Sequence, residues 1–354
     1  LSVKVVLITD THFGARGDSL HFDNYFERFY RDRFFAELRA RGITRIVHLG
    51  DCFDRRKFIN FNILNNCRRY FFDAARDAGC TIDLIAGNHD TYFKNTNEVN
   101  SPELLLDGYD HVRTYDVPTE IDLEGLSVLL MPWICSGNYA DCMQAIQQST
   151  APVLFGHLEL AGFTMYRGQV SEGGMDVAPF ERFDLVCSGH FHHRSRKGSI
   201  VYLGNPYGLT WSDYDDPRGF HVFDTQTLDL EFVENPEQIF ARIAYDDAAT
   251  DYETLDVEQY RNKLIKLVVI NKTNFYQFDR LVDRLYAVDP LELKIIEDFS
   301  EFEAEALGDD DLDLEDTLST LNGFVDGVET DADRDRIKAL LKELYLEAQH
   351  NETV

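Results

Sequence analysis

The chain has 354 residues, 44% of them hydrophobic, and a formal net charge of -29 from 34 basic and 63 acidic side chains. That length supports a full core and more than one domain, and no apolar run approaches the roughly 18 residues that a membrane-spanning helix needs. So acidic a chain has little free-standing attraction for polyphosphates, which makes any nucleic-acid role local or partner-assisted.

The first element is a β-branched strand, Val3 to Ile8, and the polar cluster Asp10-Thr11-His12 follows its end. The opening has neither the basic start nor the apolar core of a signal peptide, and the six cysteines show no CxxC spacing. Together these read as a cytoplasmic protein with reduced thiols. Asp23 to Arg41 carries Phe26, Phe29, Tyr30, Phe34 and Leu38 at helical spacing, ended by Gly42. A second strand, Ile43 to Leu49, leads into Gly50-Asp51 and then into Arg55, Arg56 and Lys57. Those three cations read either as phosphate-steering groups at the rim of a site or as a solvated helix start.

Phe58 to Ala78 is an aromatic-rich helix with too many large apolar groups for a one-sided surface helix, so it is sandwiched in the core or covered by a second subunit. A third strand, Ile82 to Ile85, ends in Gly87-Asn88-His89-Asp90. Ser101-Pro102-Glu103 reads as a helix start, Met131-Pro132-Trp133 as the end of a buried strand, and Ala140 to Gln148 as a helix. Two more strands, Val153 to Phe155 and Leu185 to Val186, end in Gly156-His157-Leu158-Glu159 and Gly189-His190-Phe191-His192. His193 alternates away from its neighbour in an extended chain, and His21, His48, His111 and His221 have no motif around them.

Five strands in order, each followed by a polar cluster, place those clusters in one crevice of an α/β sheet. Any one Gly-Asp or Gly-His pair is ordinary turn chemistry; the recurrence carries the argument. Asp10, His12, Asp51, Asn88, His157, His190 and His192 make seven oxygen and nitrogen donors without a thiolate, too many for one divalent ion and suited to two. Such donors favour ions of the manganese, iron or zinc kind over calcium. Two ions about 3.5 to 4 Å apart clamp both oxygens of a phosphoryl displacement and acidify a water between them. Asp51 is the candidate bridge. His89 is left as the proton donor to a leaving alkoxide, with Asp90 orienting its ring. Glu159 reads equally as an outer partner of a ligand imidazole or as a surface group.

Further on, Arg194, Arg196 and Lys197 look like a solvent-facing hairpin edge, and the aromatic loop Tyr207 to Tyr214 either packs on the body or stacks on unpaired bases. Leu264 to Ile270, Phe275 to Tyr286 and Leu291 to Ile296 form a strand-helix-strand unit, a small second domain. Residues 297–316 hold 11 acids in 20 positions, the composition of a flexible linker. Beyond it, apolar stripes at Leu318, Leu321, Phe324, Val325 and Val328 and at Ile337, Leu340, Leu341, Leu344 and Tyr345 mark two short helices that need a partner to bury them.

Asp10-x-His12, Gly50-Asp51-x-x-Asp54, Gly87-Asn88-His89-Asp90, Gly156-His157 and Gly189-His190-x-His192 resemble the five motifs of the calcineurin-like metallophosphoesterases. The runs Asp10-Thr-His12-Phe-Gly14, Gly50-Asp51-Cys-Phe53-Asp54-Arg55-Arg56-Lys57 and Ser188-Gly189-His190-Phe191-His192 narrow this to the SbcD-type nuclease subunits of double-strand-break repair complexes. Tyr202 to Pro206, Asp216 to Phe220 and Val222 to Asp224 look like the form found in T-even phages. The resemblance covers the first 235 residues firmly and the rest loosely. It implies a four-layer α-β-β-α sandwich over 1–235, a β-α-β DNA-capping domain over 236–297, an acidic linker over 298–316 and a helical segment over 317–350 that binds an SMC-like ABC ATPase of the SbcC type.

It further implies a homodimer that cuts DNA ends as an endo- and exonuclease with two manganese or magnesium ions, acting in the cytoplasm of a bacterial host if phage-encoded. Asp10, His12, Asp51 and His192 would hold one ion, and Asp51, Asn88, His157 and His190 the other. Two further readings stand beside it: a small-molecule phosphodiesterase or phosphatase, which has no need of the appended segments, and a DNA-end scaffold, against which the full donor set argues.

Overall fold

The computed structural model describes residues 3–297 apart from 167, 168 and 172, together with 325, 336 and 338. Leu1–Phe302 makes one compact unit and Glu303–Val354 a second, of which the described residues Val325, Arg336 and Lys338 are helical. The expected linker over 298–316 and the rest of the tail lie outside the described residues.

Strand alternation sets the layering. Along Lys4–Ile8, Val5 and Leu7 enter one core while Val6 and Ile8 enter another, because successive side chains of a strand point to opposite faces. The first six-stranded sheet runs Leu230–Glu234, Gly219–Asp224, Lys4–Ile8, Arg45–His48, Thr81–Ile85, Val112–Tyr115, the last four strands parallel. The second runs Ser195–Lys197, Ile200–Tyr202, Leu185–Gly189, Val153–His157, Leu126–Met131, Thr119–Leu123, its middle four parallel. The sheets face each other across Val5, Leu7, Val47, Leu49, Val128, Leu130, Val153, Phe155 and Cys187. Helices cover both outer faces, giving an α/β sandwich of four layers.

The layer outside the first sheet is the aromatic one. The helix that begins at Leu20 ends at Arg41 and the one that begins at Phe61 ends at Asp77, and each contains a π-helical turn, Phe29–Phe34 and Arg68–Asp73. Those wide turns face one another: Tyr30 stacks on Tyr70 with centroids 5.6 Å apart, and Phe71 lies 4.8 Å from Tyr30 and 5.7 Å from Phe13. The aromatic helix expected over 58–78 is thus core in its second half. Its start is not: Phe58 and Phe61 are 64% and 83% exposed.

Beyond Asn235 a third, all-parallel sheet runs Phe240–Asp246, Leu264–Asn271, Glu292–Ile296, with Phe275–Ala287 packing Phe278, Leu281 and Leu285 onto Ile243, Tyr245, Ile265 and Leu267. Phe240–Asp246 is a strand that the sequence pattern did not announce, although its residues alternate between buried and exposed. All six cysteines are buried and unpaired, and no described helix is long and apolar enough to cross a membrane.

Phe71→Ala removes a ring that is wholly buried among six ring neighbours, so thermal and urea unfolding should report a loss of about 3–5 kcal/mol. Leu104→Ala, made in the helix Ser101–Leu106 at a position 70% exposed, should stay within about 0.5 kcal/mol of the parent.

Candidate metal centre

Parallel strands of both sheets deliver their carboxyl ends to one edge, and the loops there are tied to one another by the backbone. Asp10 N–H donates to the Gly50 carbonyl (3.0 Å), His12 N–H to the Asp51 carbonyl (3.1 Å) and Leu49 N–H to the Ile8 carbonyl (2.9 Å). Tight closure forces unusual dihedrals: Asp10, His12, Asp51 and His190 all sit at positive φ, 52°, 42°, 53° and 86°. Such conformations cost of order 1–3 kcal/mol for a residue with a side chain and persist where surrounding structure over-determines them. Two glycines make the closure sterically feasible. A Cβ on Gly87 would lie 2.3 Å from the Asp51 amide nitrogen, and one on Gly189 would lie 2.0 Å from Thr9 Oγ1.

Within this edge the donor atoms converge. Asp10, His12 and His192 form one group, His12, Asp51 and His89 a second, and Asp51, His157 and His190 a third, each with its ligand atoms within 4.8 Å of one another. His12 Nε2 and His192 Nε2 face each other at 3.1 Å, with Asp10 Oδ1 at 4.0 and 3.8 Å. Asn88 Oδ1 lies 2.9 Å from both His157 Nε2 and His190 Nδ1. Asp51 joins the groups: Oδ2 is 3.2 Å from His157 Nε2 and 3.7 Å from His12 Nε2, while Oδ1 accepts the His89 N–H at 2.8 Å. All seven residues expected as ligands are therefore gathered, with His89 at the rim.

The electrostatics follow from burial and from the imidazoles around the carboxylates. Burial by itself would raise the Asp51 carboxyl, but His157, His89 and His12 outweigh it and hold Asp51 well below the usual range. Burial opposes charge on His157, yet Asp51 and the Leu49 carbonyl push it up to about 9. Burial raises Asp10. His157 Nδ1 lies 2.7 Å from the Leu49 carbonyl oxygen, which can only accept, so that nitrogen carries a proton and Nε2 is the one available to a metal. Imidazole nitrogens, carboxylate oxygens and an amide oxygen turned toward one another, rather than outward, fit divalent ions.

The sequence profile of the calcineurin-like phosphoesterases matches residues 3–194. The chain belongs to that family. It is 30% identical over 356 aligned residues to exonuclease subunit 1 of Enterobacteria phage T4, covering 98% of this chain and 99% of the relative. The SbcD component of the SbcCD nuclease of Staphylococcus epidermidis is 24% identical over 248 residues, covering 59% of this chain and 61% of that one. The chain is accordingly a hydrolase of the metallophosphoesterase kind, a family that works with divalent metals.

Around the calcineurin-like site, several expected roles change. Asp90 does not orient the His89 ring. Its carboxylate accepts the backbone N–H groups of Cys52 (3.0 Å), Phe53 (3.0 Å) and Gly87 (2.9 Å), so it pins the Asp51 loop to the His89 loop. Burial and the nearby Asp51 push Asp90 up to about 6. The His89 ring meets Asp54, whose carbonyl oxygen lies 2.7 Å from Nδ1, and the Asp54 carboxylate is 3.3 Å from His12 Nδ1. Asp54 stood in the second motif without a role; the spacing could not show that one residue serves two histidines through different atoms.

The His157 ring turns its Nδ1 to the Leu49 carbonyl. Of the rim cations, Arg55 pairs with Asp18 at 2.9 Å and lies 4.9 Å over the Phe58 ring, Arg56 is half-buried, and Lys57 is exposed. Tyr207 packs inward on Phe26, centroids 4.0 Å apart, and donates to the Thr11 carbonyl at 2.6 Å, so the aromatic loop leans on the body. His48 is a core residue bonded to Thr11 Oγ1 at 3.0 Å and lowered to about 3 by burial. Trp133, unassigned by sequence, lies 5.1 Å from the His190 ring.

Because His157 titrates at about 9 beside Asp51, it is protonated at pH 7 and must lose that proton to bind a cation. Calorimetry of Mn2+ binding at pH 7 in buffers of different ionisation enthalpy should show net proton release, and affinity should rise with pH up to about 9. Binding without proton release would contradict this arrangement.

Proposed function

We propose that the chain is a two-metal DNA nuclease that hydrolyses phosphodiester bonds at double-stranded ends, as endo- and exonuclease, and that it is the nuclease subunit of an SbcC/SbcD-type repair and recombination complex. The observation that carries this reading is the pair of donor groups sharing Asp51, in a chain alignable along nearly its whole length with a phage exonuclease subunit. Asp10, His12, Asp51 and His192 would hold one ion and Asp51, Asn88, His157 and His190 the other. Of the manganese, iron and zinc kinds of ion that this nitrogen and oxygen set accepts, manganese is the one proposed, with magnesium as the alternative. When bound, two such ions supply positive charge to the phosphoryl group and acidify water.

The chain's own residues do the rest. His89 stands at the rim with Nδ1 2.7 Å from the Asp54 carbonyl oxygen, and its ring protonates the departing 3′ oxygen. Its backbone bond to Asp51 keeps the acid in register with the donors. Asp90 is a positioning residue for both loops. Arg55, Arg56 and Lys57 steer the phosphodiester toward the edge, Lys57 most directly since it is exposed. In this reading 1–235 is the nuclease domain, 236–297 the capping domain, 298–316 a linker and 317–350 the segment that binds an SMC-like ATPase. The exposed Phe58 and Phe61 are part of a homodimer interface. The partner supplies DNA affinity that a chain of charge -29 lacks.

That same charge favours a second reading, a phosphodiesterase for small substrates. Mn2+-dependent cleavage of linear and hairpin DNA, run beside hydrolysis of an aryl phosphate diester, separates the two. His89→Ala should lower DNA cleavage by roughly 10²–10⁴ while Mn2+ affinity stays within about two-fold. Hydrolysis of the aryl ester with DNA untouched, even when the ATPase subunit is added, would transfer the conclusion to the second reading.

A further inference from the structure

Arg218 is 3% exposed and lies outside every motif of the metal site. Its guanidinium forks into four acceptors: Nη1 donates to the His192 carbonyl and to Asn205 Oδ1, and Nη2 to Asp213 Oδ1 at 2.7 Å and Asp216 Oδ2 at 2.8 Å. Asn205 N–H also donates to the His192 carbonyl, at 3.3 Å. On the same hub, Asp216 Oδ2 is 2.7 Å from Nδ1 of His193, the residue after His192. The main chain on the C-terminal side of His192 is therefore held by two donors, and its next side chain by a carboxylate that Arg218 fixes. A buried guanidinium with two buried carboxylates tolerates little displacement, because breaking one pair leaves an uncompensated charge.

The hub continues outward. Asp213 Oδ2 accepts the N–H groups of Leu209 (2.7 Å) and Thr210 (3.0 Å), closing the aromatic loop that carries Trp211 and Tyr214. Trp211 lies 4.8 Å from Phe240 and under the Lys266 ammonium at 4.3 Å, and Arg242 covers Tyr214 at 4.9 Å. Phe240, Arg242 and Lys266 all belong to the third sheet.

We propose that Arg218 is a positioning residue for His192, and that through Asp213 and the Trp211 loop it makes the placement of His192 depend on the seating of the three-stranded sheet. The inference rests on the reading of His192 as a metal ligand. It ties the site nearest Asp10 and His12 to the appended sheet, because the hub's hydrogen bonds run to His192 and His193 rather than to Asn88 or His157. Contacts on the sheet are thereby felt by one ion and not by the other.

The test is Mn2+ binding to the full chain, followed by calorimetry and by electron paramagnetic resonance, in the parent, Arg218→Lys and Trp211→Ala. Arg218→Lys keeps the charge and loses the fork; Trp211→Ala loosens the loop without touching the buried hub and serves where the first variant fails to fold. The expected result is two ions in the parent, with one weakened roughly ten-fold by Arg218→Lys, the scale of partners standing behind metal ligands. The same ion should be weakened several-fold by Trp211→Ala, and the other ion should be unchanged in both. Two ions bound with parental affinity in both variants would overturn the inference and leave the two-metal reading standing. So would equal weakening of both ions together with a lowered unfolding midpoint, which would make Arg218 a fold-stability group alone. A parent chain that binds fewer than two ions would overturn the two-metal reading itself, and the inference with it.

Discussion

Three carboxylates, those of Asp10, Asp51 and Asp90, lie almost wholly buried at one edge of two packed sheets, and the rest of the site follows from making that tolerable. An ionised carboxylate in such a place is costly unless it is paired or hydrogen-bonded. Each is handled differently. Asp90 takes three backbone N–H groups and is shifted toward its neutral form; Asp51 is ringed by imidazoles; Asp10 accepts Thr9 Oγ1–H at 2.6 Å and the His190 N–H at 3.1 Å. The Nε2 atoms of His12 and His192 turn in beside them, 3.1 Å apart, and bound cations would complete the neutralisation.

Holding those groups together takes stiffness. Strained dihedrals at Asp10, His12, Asp51 and His190 persist because the loops close on each other through Gly87 and Gly189 and because the layer behind them is densely aromatic. Phe13, one residue past His12, is in ring contact with Tyr30, Phe53, Tyr70, Phe71 and Phe72. The helices' π-turns thus brace the first metal loop. Arg218 braces the last one through the His192 carbonyl.

Much of this was legible in the chain. β-branched runs ending in Gly-Asp, Gly-Asn-His and Gly-His announce strands whose loops meet, since position at a strand's carboxyl end is a local property that a sequence displays. Contacts between atoms of distant residues are not displayed. Asp90 follows His89 directly, which suggested a ring partner; its carboxylate takes the Gly87 amide of its own loop and two amides, of Cys52 and Phe53, from another, the latter a fact of tertiary closure. Asp54 serves His89 through its carbonyl, an atom every residue owns. Arg218 looks like a loop arginine until Asp213, Asp216 and His192 are folded around it. Phe240–Asp246 was missed because its exposed positions, Arg242 and Ala244, are neither β-branched nor aromatic, and because its pairing partner is distant in the chain, Phe240 lying opposite Leu264.

In the proposed function Asp51 stands between two cations. Anomalous X-ray scattering at the manganese edge, from crystals of the full chain grown with Mn2+, tests this placement. Two peaks are expected on either side of the Asp51 carboxylate, one beside Asp10, His12 and His192 and the other beside Asn88, His157 and His190. A single peak, or two peaks that leave Asp51 without a metal neighbour, would contradict it.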